Sequence, residues 1–280
     1  MKIFAIFAFG GFLSVFWVVE LVAKPLIVTT IKPLALIAAS AVGGSAQVEF
    51  LQPSGQSAHD LYLSPSMLKR LASADLVIRV DPAFEHRLNK QFEKLPRRQL
   101  LTASKLDMHW PSSETVTGLF KRDLHFWLNP ANADILAGRI QKIFELPIRP
   151  LIDQATLAKY QRQLSIYRDR PTISYHDAYG HFSAAFGLLS PVSVRDSAGL
   201  ARGLASRYSL QKRALNSRPA CVFVERENPG RDATAMAKKL GVTTKNLDPQ
   251  GIHIAINQSA YGDFFNRLVS QYLACFDTSE

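Results

Sequence analysis

What most constrains this chain is a rhythm of short β-favouring runs and helical segments that occurs twice, once on each side of a polar helical stretch. In the first half, residues 26–30 read as a strand, 33–42 as a helix and 48–51 as a strand. Residues 65–73 then read as a helix, with Ser64 ahead of Pro65 as its N-cap, and 76–80 as a strand. From Thr172 the pattern returns, with strands at 172–174, 220–224 and 243–247 and helices at 178–186, 232–240 and 261–275. Strands alternating with helices predict parallel sheets covered on both faces. Between the halves, LIDQATLAKYQRQLSIYRDR places Leu151, Ala155, Ala158, Leu164 and Tyr167 at helical spacing. The expected fold is therefore α/β, with two lobes, 24–150 and 170–280, joined by a helix at 151–169. Each lobe is expected to hold a mostly parallel, four-stranded-type sheet flanked by helices.

With 280 residues, 47% of them hydrophobic, the chain can bury a core of the size two such lobes need. Its first segment, MKIFAIFAFGGFLSVFWVVELVA, has one Lys, an apolar run from Ile3 to Val19 and a small residue at Ala23. That is a secretory signal pattern, assigned to residues 1–23, and it predicts a periplasmic protein. An uncleaved membrane anchor is the alternative, because the apolar run is long. No cysteine stands just after the expected cleavage point, so a lipid anchor is not expected there. In an oxidising compartment the only two cysteines, Cys221 and Cys275, read as one disulfide; two buried thiols are the alternative. Net charge is +10, but the basic residues are scattered, as in Arg97-Arg98 and Lys238-Lys239, without interleaved aromatics. A solvated basic face is expected, and no nucleic-acid partner.

Ligands of open α/β sheets bind beyond the C-terminal ends of strands. QPSGQSAHD follows one predicted strand and delivers His59, SYHD follows another and delivers His176, and NLDPQG follows a third and delivers Asp248. DLHFWLNP presents His125 just ahead of a helix capped by Asn129 with Pro130 at its first position. Three imidazole nitrogens and one carboxylate oxygen make a tetrahedral donor set suited to zinc. The donors are far apart in sequence, so spacing alone is weak support for a shared site.

The neighbourhoods of these residues add to it. TTIKPLALIAASAVGG with LQPSGQSAHDLYLSPSMLKRLASADLVI, then DLHFWLNPANA, YHDAYGHFSAAFGL, and CVFVE with LDPQG, resemble the blocks of the cluster A-I, zinc-type periplasmic solute-binding proteins of metal ABC importers. The resemblance covers residues 26–276. It implies two lobes joined by one long, rigid helix, with Zn²⁺ as transported ligand held in the cleft by His59, His125, His176 and Asp248. It also implies delivery to an inner-membrane ABC permease, with no catalytic residues and no stable oligomer. Manganese-type relatives carry glutamate at the third position, so His176 points to zinc.

Some features depart from the family pattern. The connecting helix is shorter than usual, and the His-rich acidic loop is missing, since residues 107–123 contain only His109. The usual Glu-Pro-Gln after the cysteine strand is Glu225-Arg226-Glu227, so no ligand role is carried onto Glu225. His181, five residues beyond His176, lies on a different helical face and is expected at the surface or behind the ligands. His86 and His253 are expected at the surface or cleft rim, and Asp60 and Asp177 either orient an imidazole or cap a turn.

Three other readings remain: a carrier of manganese or another divalent metal, a secreted zinc hydrolase, or an anchored adhesin that uses the metal structurally. A hydrolase needs an open fourth position, whereas four protein ligands are expected here. No His-Glu-x-x-His helix and no Gly-x-Ser-x-Gly elbow occurs.

Overall fold

The computed structural model describes residues 23–53, 56, 59, 61–111, 122–225 and 230–277. The expected leader lies outside them, apart from Ala23, as does Asp60. Among the described residues no helix is long and apolar enough to cross a membrane.

The first sheet is built from β1 (Leu26–Thr29), β2 (Gln47–Phe50), β3 (Leu76–Arg79) and β4 (Leu100–Thr102), in the order β2-β1-β3-β4. All neighbours are parallel, Val28 pairing with Glu49 on one side and Val77 on the other. Three helices connect these strands: α1 (Lys32–Val42), α2 (Pro65–Ser73) and the short α3 (Asn89–Phe92). Each boundary has a local cause. α1 opens with Pro33 and stops at Gly43, whose left-handed backbone (φ 56°) lets its N–H reach the Ala39 carbonyl. α2 begins where Ser64 Oγ accepts the Met67 N–H, as its sequence predicts.

After the first sheet come α4 (Pro130–Ile143) and α5 (Gln154–Ser165). Asn129 caps α4 by accepting from the Ala131 N–H, and Asp153 caps α5 by accepting from Thr156. α5 is the helix joining the two halves, and it buries Tyr160 and Leu164. The second half holds β5 (Ile173–Ser174), α6 (Gly180–Phe186), β6 (Val192–Ser193), α7 (Leu204–Ser217), β7 (Val222–Val224), α8 (Arg231–Leu240), β8 (Thr244–Asn246) and α9 (Ala260–Leu273). Its strand order, β6-β5-β7-β8, repeats the first lobe's, again all parallel.

α9 does not stay with the second sheet. Its apolar face, which includes Tyr261, Phe264, Phe265 and Leu268, returns to pack against α1, and the Tyr261 N–H donates to Ser40 Oγ. One apolar core therefore runs from Ile27, Leu34 and Ile37 in the first lobe to Phe223 and Tyr272 in the second. Cys221 and Cys275 form a disulfide, tying the start of β7 to the end of α9 across 54 residues. A loop of that size is worth about 4 kcal/mol of unfolded-state constraint. Replacing both cysteines with alanine is expected to lower Tm by roughly 10 °C in a non-reducing melt. An unchanged Tm would show that the cross-link contributes nothing.

Candidate metal centre

Three of the four expected ligands meet where the lobes face each other. His59 follows β2, His125 precedes a single 3₁₀ turn (Phe126–Leu128) ahead of α4, and His176 lies two residues beyond β5. Each ring offers one nitrogen, and these nitrogens all lie within 4.8 Å of one another. Ring centroids are 5.4 Å apart for His59 and His125, 5.2 Å for His125 and His176, and 6.2 Å for His59 and His176. Zinc binds imidazole nitrogens at about 2.0–2.1 Å, which places tetrahedral donors roughly 3.3 Å apart. Small ring movements bring this trio to that spacing.

Carboxylates fix two of the rings. Asp123 Oδ1 accepts both the backbone N–H of His125 (2.9 Å) and its Nδ1 (2.8 Å), which gives the Asp-x-His sequence its physical reason. His176 Nδ1 is hydrogen-bonded to Glu225 Oε1, just beyond β7. With both Nδ1 atoms so engaged, Nε2 is the nitrogen each ring presents, and the carboxylates raise its basicity as a ligand. His59 packs on the Phe84 ring at 4.5 Å.

The three imidazoles have different electrostatics. Burial, then His125 and His176, holds His59 well below its ordinary pKa. Burial, then His176 and His181, does the same to His125. Burial also pulls His176 down, but the charge and hydrogen bond of Glu225, followed by Asp177 and Asp123, outweigh it and raise the pKa. Two rings are thus kept neutral and ready for a cation, while the third holds a proton more tightly.

Asp248 is outside the imidazole cluster. Its Oδ1 accepts the N–H groups of Gln250 and Gly251, and its Oδ2 that of Ile252. Both lobes pin the surrounding loop: Trp127 Nε1 donates to the Pro249 carbonyl, Gln52 Nε2 to Gln250 Oε1, and Tyr179 Oη to the Leu247 carbonyl. His181 is not at the surface. It is fully buried, with Nε2 at 3.0 Å from the Asp123 carbonyl and Nδ1 at 3.2 Å from Asn132, so it braces the segment carrying His125. Of the two expected places, it takes the one behind the ligands, because that face of α6 packs on the first lobe rather than on water. Asp177 ion-pairs with Arg202 at 3.9 Å, and His86 and His253 are exposed. Sequence reasoning missed Glu225 and Asp123 as partners of the imidazoles. The Asp-x-His spacing signals Asp123, whereas Glu225 is 49 residues from His176 and had no local signal.

The family profile described as "ZnuA: Zinc-uptake complex component A periplasmic" matches residues 27–145. The chain is 28% identical over 291 residues to the "High-affinity zinc uptake system protein ZnuA" of Yersinia pestis, covering 90% of this chain and 92% of that one. A solved ZnuA structure superposes with a TM-score of 0.69 at 17% identity, covering 89% of this chain and 98% of that one. The laminin-binding protein of Streptococcus agalactiae, described as an adhesin with metal-transporting activity, gives 0.72 at 17%, covering 90% and 100%. At those identities the two structures speak for the fold alone. The fold is the two-lobed one of these structures, and between the lobes this chain sets three imidazoles that could hold a metal ion. The profile that matches its first lobe and the sequence relatives that span most of its length are zinc-uptake proteins, and the chain is similar to them.

Proposed function

We propose that this chain captures Zn²⁺ between its lobes in the periplasm and hands it to an ABC permease in the membrane, without covalent chemistry of its own. The convergence of three buried or half-buried imidazoles from both lobes carries this reading. An all-imidazole trio suits zinc better than manganese, which favours carboxylate and carbonyl oxygen. His59, His125 and His176 are the ligands on this reading. Asp248 completes the set, its Oδ2 retaining acceptor capacity beyond the single N–H it takes from Ile252. Asp123 and Glu225 position two of the rings.

Metal analysis of protein recovered from the periplasm tests this, with manganese offered in excess. A single zinc ion per chain that manganese does not displace is the expected result. Recovery without metal, or exchange of zinc for manganese, would overturn it.

A further inference from the structure

A second feature lies away from the imidazoles, at the open edge of the first sheet. β4 is the terminal strand there, and a groove of about 1110 Å³ runs along it. Leu100, Leu101 and Thr102 of β4 line it, with α3 contributing Phe92 on one side and α4 contributing Arg139 on the other. The two helices belong to the layers on opposite faces of the sheet, so the groove is the mouth between those layers.

The charge around this mouth is one-sided. Arg79, Arg97, Lys105 and Arg139 line it against one acid, Glu93. Arg79 is only 9% exposed, and its partners are neutral. Its Nε donates to Thr102 Oγ1 at 2.9 Å, one terminal nitrogen donates to Asn89 Oδ1 at 3.0 Å, and the guanidinium sits over the Phe92 ring at 5.0 Å. Among the described residues, none of the four cations forms an ion pair. The carboxylates of Glu85, Asp81 and Glu93 lie near enough to act on the Arg79 charge without pairing with it directly, so a carboxylate arriving beside the strand edge would give that guanidinium a direct ionic partner.

We propose that this groove docks an extended acidic segment of a partner protein, which adds to the sheet as a strand beside β4. Main-chain hydrogen bonds to an edge strand supply affinity that is indifferent to sequence. Arg79, Lys105 and Arg139 supply the selection for carboxylates. The apolar side chains of β4 and Phe92 accept the alternate residues of the incoming strand.

The test titrates the full mature protein with a labelled peptide of alternating valine and glutamate, followed by fluorescence polarisation. Saturable binding is expected, weakened about tenfold or more in the double variant Lys105→Glu, Arg139→Glu. Both positions are exposed, so zinc affinity in that variant should match the wild type and report an intact fold. Methylating every backbone amide of the peptide should abolish binding, because a strand without N–H groups cannot join β4. Equal binding of a valine-lysine peptide, or of the methylated peptide, would overturn the proposal. So would the absence of saturable binding, or binding of inorganic phosphate in place of the peptide, which would make the groove a small-anion site.

Discussion

A His176→Ala variant is expected to bind zinc more than about a hundredfold more weakly than the wild type, because altering an outer-shell partner alone costs about 10–100-fold. His176 is the second lobe's only member of the imidazole cluster among the described residues, so its loss leaves a two-nitrogen half-site on the first lobe. Competition against a chromophoric chelator at neutral pH measures the change. Wild-type affinity in the variant would remove His176 from the ligand set and, with it, the idea of a site shared between lobes. The fold should survive, because His176 makes no part of the apolar core.

The second large effect is expected from Glu225→Gln, and it appears in the pH profile. Zinc takes only the neutral form of an imidazole, so it must displace any proton already there. His59 and His125 have depressed pKa values and are neutral down through the ordinary histidine range. His176 is raised, with burial opposed and outweighed by Glu225, so in the wild type it sets the pH at which affinity begins to fall. The direction follows: affinity is full above the raised pKa of His176 and drops by about tenfold per pH unit below it. Removing the Glu225 charge lets burial act with less opposition, so the fall should begin at lower pH. At alkaline pH, where no proton competes, the variant should bind about 10–100-fold more weakly, because the ring loses its anionic partner. Zinc titrations from mildly acidic to alkaline pH, with proton release followed in parallel, resolve both effects. Superimposable profiles would show that Glu225 neither holds the proton nor tunes the ring.

Much of this architecture was legible in the sequence, and what was missed had physical causes. α2 and the start of α4 were marked by proline behind a capping residue, Ser64 and Asn129, signals that do not depend on the rest of the molecule. β4 and β6 were not read, because three residues (LLT) and two (VS) are too few for a periodic pattern. α7 was missed because its exposed Tyr208 and Leu215 blur any apolar stripe. The apolar face of α9 was plain, but nothing local says that its partner is α1, more than 200 residues earlier. At the site, the three imidazoles were found through their sequence neighbourhoods, and their convergence is what the structure adds. The burial of His181 and the reach of Glu225 to His176 are tertiary facts, set by how α6 and β7 dock.

The packing of α9 on α1 has a mechanical consequence. With the apolar core continuous from one lobe to the other, prising the lobes apart exposes oily surface at about 25 cal/mol for each Å². The molecule then behaves less like a hinged jaw than like a stiff body with a small pliable mouth. On the proposed function, zinc would then leave by the slip of a ring or of the 248–252 turn, not by the lobes swinging apart.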